Sequence, residues 1–265
     1  MRANAGLVIV GKNVTLVPYE KEHVPKYHQW MTDPWLQGTL SLSCDFDDDM
    51  LSLEMTASEP LSMEEEYEMQ RSWREDDKKC TFIVLAKGTA NAESSFTDET
   101  AIDRMAGDVN LFFNDYDDAF SCEMEIMIAD PKYRRKGFAK EAVELMMAYG
   151  TSKLNVHRFY CKINESNHAS LQLFDKLGYT KCNYVAAFQE IELELLPKEH
   201  EQRVVDDVLA FATFHQFAVA DGSDNRAQFR LPFRQVTAGL KLSARQRWKR
   251  NGDESKVEMA LLQNH

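Results

Sequence analysis

At 265 residues, with 44% hydrophobic and 11% aromatic content, the chain can bury a substantial core, as one large domain or one medium domain with extensions. It has no apolar run long enough to span a bilayer and no charged-then-apolar leader, so the expectation is no membrane role and a cytoplasmic location, with the nucleus left open. Residues 200–265 carry a net charge of +2 and residues 1–199 a net −14, a balance that argues against a nucleic-acid partner and either suits a cationic substrate such as an amine or serves solubility alone.

In chain order, hydrophobic periodicity predicts a strand over 14–19, a helix over about 22–31 and a helix over 62–74. The last opens with a capping box, Ser62-x-x-Glu65, behind Pro60. Residues 38–55, with the acidic run Asp45-Phe46-Asp47-Asp48-Asp49, have neither helical nor strand period and read as an inserted loop. Strands over 80–86 and 107–113 flank a polar stretch, 88–105, read as a long loop. A strand over 124–128 leads through a basic loop into a helix over about 138–154, whose apolar face is Ala142, Val143, Met146, Met147 and Gly150. A strand over 159–163 and a helix over about 169–177, ended by Gly178, follow, then strands near 183–187 and 190–195.

Hairpin strands followed by a strand–helix–strand crossover predict an α/β fold: a central mixed, twisted sheet flanked by helices, with strands 124–128 and 159–163 parallel and adjacent. The domain is expected over 7–199. Residues 200–265 read as a C-terminal extension, poorly ordered or weakly helical, with eight Lys/Arg and no acid between Asn225 and Arg250. Cys44, Cys80, Cys122, Cys161 and Cys182 include no Cys-x-x-Cys pair, and four lie in or beside strands; they read as reduced packing residues, without disulfide or metal. His23, His28, His157 and His168 have no catalytic spacing and read as surface or capping groups.

The richest chemistry sits in the basic loop. A helix start leaves N–H groups unpaired and carries the positive end of the macrodipole, so it can hold a pyrophosphate. Gly137 and Ala139 keep side chains out of that approach, while Lys132, Arg134, Arg135, Lys136 and Lys140 add a positive field around Phe138. The order Arg134-x-x-Gly137-x-Ala139 resembles the Arg/Gln-x-x-Gly-x-Gly/Ala loop of the GNAT acetyltransferase superfamily. Residues 11–19, 22–28, 56–61, 80–85 and 107–112 extend the resemblance over 7–196 to its N-acetyltransferase 9-like branch.

The resemblance implies a GNAT fold, acetyl-CoA as co-substrate and no metal. It also implies a primary amine as acceptor, on a protein N-terminus or lysine, with tubulin associated with the branch. Two alternatives stand beside it: a small-molecule amine acetyltransferase, and a catalytically weak CoA-binding interaction protein. By the same resemblance Met127 and Ile128 pair with the pantetheine, the loop 134–140 holds the pyrophosphate, and Asn164 with Asn167 or Ser170 faces the cofactor from the other side; helix capping accounts for these last residues equally well. Glu123 and Glu125 lie two apart and share a strand face, where the family places its general base; either can be the one. Many members protonate the leaving thiolate with a tyrosine where this chain has Phe174. That leaves water, Tyr133, Tyr184 or unassisted departure.

Overall fold

The computed structural model describes residues 4–33, 36, 61–88, 95–196 and 199–217. The inserted loop, Cys44 and most of the basic tail lie outside that set. The first element is β1 (Leu7–Val10), which the sequence reading lacked because four apolar residues show no alternation. Then come β2 (Val14–Pro18), a 3-10 turn (Lys21–His23), α1 (Val24–Met31), α2 (Met63–Glu75), β3 (Lys79–Ala86), the short α3 (Glu99–Asp103) inside the expected long loop, β4 (Met105–Phe112) and β5 (Ser121–Met127). A 3-10 turn (Pro131–Tyr133) precedes α4 (Phe138–Lys153), β6 (Arg158–Asn164), α5 (His168–Lys176), β7 (Thr180–Val185), β8 (Glu190–Leu195), α6 (Glu199–Phe211) and β9 (Thr213–Gln216). β5 and β7 begin three residues earlier than expected, because pairing with β6 and β8 extends them beyond their alternating runs.

The nine strands form one sheet in the order β7-β8-β6-β5-β4-β3-β2-β1-β9, and only β5 and β6 are parallel. Of residues 200–265, expected as a poorly ordered or weakly helical extension, the described part carries the helix α6 and, beyond that expectation, an edge strand, β9, which pairs with β1 from Leu7↔Gln216 to Val10↔Thr213. Unpaired strand edges are satisfied by added strands, and short β9 carries no periodic signal of its own.

Local chemistry explains the helix starts. Ser62 accepts from Glu65 N at 3.3 Å and Glu65 accepts from Ser62 N at 2.7 Å, closing the capping box at α2. On α4, the buried Glu141 carboxylate accepts from Asn13 N at 2.8 Å and Asn13 Nδ2 at 2.7 Å, fastening the β1–β2 hairpin to the start of the helix. One sheet face, carrying Phe82 and Phe159, packs under α4; the Phe82 and Tyr149 rings meet edge-on at 5.6 Å. The other face lies under α1 and α2, where Tyr19, Tyr27, Trp30 and Trp73 form a ring cluster. His23, expected at the surface or in a cap, is fully buried and does cap: Glu20 N donates to its Nδ1 at 3.0 Å. Of the cysteines, Cys80, Cys122 and Cys161 are free and buried as packing residues, whereas Cys182, on the edge strand β7, is exposed.

Candidate active site

The site begins where two strands part. β5 and β6 pair at Ser121↔Arg158, Cys122↔Phe159 and Glu123↔Tyr160, and there the pairing stops. Beyond it β5 stays with β4 and β6 with β8, so a wedge opens between the strand edges from residues 124 and 161 onward. Gly107 on β4 helps to set this divergence: a Cβ there would stand 1.8 Å from Met127 O, so only glycine admits the close approach that holds the end of β5 against β4. Extended backbone without a neighbour in the wedge offers N–H and C=O groups to a ligand chain, as at any free sheet edge.

At the mouth of the wedge the loop turns through two left-handed residues, Arg135 (φ 57) and Gly137 (φ 81), before α4. The first backbone bond of α4 runs from Glu141 N to Gly137 O at 3.1 Å, which leaves the N–H groups of Phe138, Ala139 and Lys140 without an intrahelical acceptor. A Cβ at Gly137 would meet nothing within 4 Å, so the space in front of these donors is open. The cations around it divide. Arg134 closes the loop on itself, Nε donating to Ile128 O at 2.9 Å and Nη2 to Ala129 O at 2.5 Å. Lys132 pairs with Asp130 at 3.0 Å and Lys140 with Glu144. Arg135 and Lys136 are exposed and turned to solvent. The wedge edge and loop together fit a pantetheine-like chain ending in a pyrophosphate. Among the described residues, no group of His, Cys, Asp and Glu is arranged to hold a metal.

Across the wedge, Asn164 and Asn167 serve the local turn. Asn164 Oδ1 accepts from Ser166 N at 3.0 Å and Ser166 Oγ at 2.7 Å, and Asn167 Oδ1 caps α5 by accepting from Ser170 N at 3.1 Å. Phe174 is buried with its ring 4.9 Å from Tyr179, whose hydroxyl donates into the core, to Met147 Sδ at 3.6 Å. Of the other tyrosines, Tyr133 stacks on Phe138 at 5.2 Å and Tyr184 donates to Glu165 Oε2 at 2.9 Å.

The two glutamates separate by environment. Glu123 faces Lys162, Oε2 to Nζ 3.5 Å. Glu125 is exposed, on the same face of β5 as Glu123. Desolvation, then Glu123, push its carboxyl well above the usual carboxylate range; Lys79 pulls back, Asp108 adds to the rise and Lys162 opposes it. Beside it on β4 is Asp108, 3% exposed, which accepts from Asn110 Nδ2 at 2.7 Å and has no hydrogen-bond partner for Oδ1 among the described residues. Burial lifts the Asp108 carboxyl to about 6 against the pull of Asn110 and Lys79. Asn110 also accepts from Thr81 Oγ1 at 2.6 Å. Sequence reasoning missed Lys79, Thr81, Asp108 and Asn110. The signal was present as polar residues at every second position of β3, β4 and β5, which marks one hydrophilic sheet face.

Comparisons agree with this architecture. The family described as "Acetyltransferase (GNAT) domain" matches residues 13–180. An N-acetyltransferase 9-like protein of Nematostella vectensis is 47% identical over 194 residues, covering 73% of this chain and 88% of that one. The human alpha/beta-tubulin-N-acetyltransferase 9 is 42% identical over 204 residues, covering 77% and 89%. Among solved structures, a chimeric spermidine N-acetyltransferase from Vibrio cholerae aligns with TM-score 0.52 at 18% identity, over 74% of this chain and 99% of its own, a likeness of fold alone.

Proposed function

Because the chain belongs to the GNAT acetyltransferase family, among its N-acetyltransferase 9-like members, we propose that it acetylates a primary amine on a protein, an N-terminus or a lysine, with tubulin the named acceptor of its human and mouse relatives. It is an acetyl-CoA-dependent N-acetyltransferase. The observation that carries the reading is the position of Glu125: a carboxylate raised toward the working pH, on the strand that splays, next to an open loop of unpaired N–H groups.

Acetyl-CoA supplies an activated acetyl group as its thioester. The loop N–H groups of residues 138–140 and the nearby Arg135 and Lys136 hold the pyrophosphate, and the free edges of Met127 and Ile128 take the pantetheine. Asn164, Asn167 and Ser170 shape the opposite wall through the turn they cap. Glu125 takes the proton from the incoming ammonium, and Glu123, tied to Lys162, keeps that proton affinity high. A backbone N–H of the wedge meets the oxyanion. A small-amine acceptor is the second reading, favoured by the carboxylates Glu123, Glu125 and Asp108 gathered on one face.

Labelled acetyl-CoA offered with peptide N-termini, lysine peptides, tubulin and polyamines decides among acceptors. With the acceptor it selects, Glu125→Gln should lower kcat/KM at neutral pH by roughly 10²–10⁴-fold while calorimetric CoA affinity holds. The base works deprotonated and its affinity for the proton is raised, so wild-type activity falls on acidification at a higher pH than an ordinary carboxylate would impose. The defect in Glu125→Gln shrinks as pH approaches the amine's own pKa, about 8 for an N-terminus and about 10.4 for lysine. A wild-type rate in Glu125→Gln with a defect in Glu123→Gln moves the role to Glu123.

A further inference from the structure

Lys79 is 5% exposed, and its ammonium forms no ion pair with any described carboxylate. It stands instead over two aromatic faces, 2.8 Å from the Trp73 ring centroid and 4.5 Å from that of Phe112. A buried ammonium without a contact partner is costly, even with ring faces to offset part of the loss. Register shows where it points. Lys79 pairs with Phe112 across β3–β4, and Phe112 with Glu123 across β4–β5, so Lys79, Phe112 and Glu123 share one row and one face. The next row holds Thr81, Asn110 and Glu125, and the one after it Ile83, Asp108 and Met127. The Lys79 ammonium, above the Phe112 ring, therefore lies over the face that carries Glu123 in its own row and Glu125 in the next.

We infer that Lys79 is a positioning residue for acetyl transfer: its caged ammonium is the counter-charge that keeps the Glu125 carboxylate ionised and ready to accept a proton. This rests on Glu125 being the base. The groups facing Glu125 divide by sign: Glu123 from its own strand and Asp108 from β4 discourage ionisation, Lys79 from β3 and Lys162 from β6 favour it. Lys162 already faces Glu123 at 3.5 Å, which leaves Lys79 as the larger cationic influence on Glu125. Burial lowers the proton affinity of the Lys79 ammonium, and Glu125, then Asp108 and Asp76, oppose that loss. The Trp73 and Phe112 rings fix the ammonium without neutralising it, as a direct carboxylate contact would. Trp73 belongs to α2, so this helix would take part in the chemistry through the cage it completes over β3.

The test uses the full chain labelled with ¹³C at the glutamate carboxyls, the Glu125 resonance being the one absent from Glu125→Gln. In Lys79→Met, of similar volume, its titration midpoint should move up by about 1 on the pH scale, the size expected on losing a nearby opposite charge. Lys79→Arg should return it most of the way. If Lys79→Met does not fold, Lys79→Gln serves in its place. The acidic limb of kcat/KM for an accepted amine should move with the resonance. A midpoint unmoved in both neutral variants overturns the role of Lys79, whatever Glu125 does. A moved midpoint with a wild-type rate in Glu125→Gln overturns the assignment of the base instead, and with it the catalytic meaning of Lys79.

Discussion

The two faces of the sheet are built to different rules. Under α4 the strands present Cys80, Phe82, Leu111, Cys122, Met124 and Phe159, all 1% exposed or less, and packing is close enough that a Cβ on Gly150 would touch the Phe159 ring at 3.0 Å. Under α1 and α2 the same strands present Lys79, Thr81, Asp108 and Asn110, buried at 3–5% exposure but polar. Four buried side-chain atoms on this second side, Tyr19 OH, His28 Nδ1, Glu66 Oε2 and Asp108 Oδ1, have no hydrogen-bond partner among the described residues. Buried, poorly paired polar groups weaken a fold, yet they are also what moves a carboxyl into the range where it exchanges protons near neutrality. One face supports the structure; the other gives up stability to bury polar and charged groups beside Glu123 and Glu125.

That contrast breaks most sharply at Phe82. Phe82→Ala should cost about 3–5 kcal/mol, the range for a large aromatic removed from a packed core, and urea unfolding should return the same loss at pH 6 and pH 8. A loss that varied with pH would mean that the apolar face is coupled to the titrating one.

Asp108 sharpens the comparison with the opposite sign. Its folded-state pKa, about 6, lies above the ordinary value of 3.8, so the proton binds more tightly in the folded protein. The associated stability is complete below the unfolded value and is lost as pH rises through about 6. Asp108→Asn keeps an acceptor for Asn110 and removes the charge. It should be more stable than wild type by about 1–3 kcal/mol at pH 8, with the difference gone near pH 4; denaturant melts at both values read it. Equal stability at pH 8 would show that Asp108 is adequately compensated, by Lys79 above all.

The smallest effect belongs to the loop, outside both faces. Gly137→Ala meets no clash and carries only the left-handed backbone penalty, about 1–2 kcal/mol. It should lower the melting temperature by a few degrees and weaken CoA binding in calorimetry without abolishing it. An unchanged melting temperature would mean that the loop relaxes to another turn.

Much of this was readable along the chain because it is written at short range. The Ser62–Glu65 box, the start of α4 behind Gly137, the parallel neighbours β5 and β6 and the shared face of Glu123 and Glu125 follow from caps and periodicities of two to four residues. Those same rules could not find β1 and β9, which are too short to show a period and form by pairing with each other. Nor could they show that the Tyr179 hydroxyl turns into the core beside Phe174; the Asn167 cap is one of two readings open in the sequence, and the fold shows it formed. Above all, the glutamate pair looks symmetric in sequence. Desolvation and the charges of Lys79, Asp108 and Lys162, brought from β3, β4 and β6 onto one face, set Glu125 apart from its neighbour. Those are through-space quantities, fixed by which strands lie side by side, so what distinguishes the two glutamates depends on the sheet order and not on the segment that carries them.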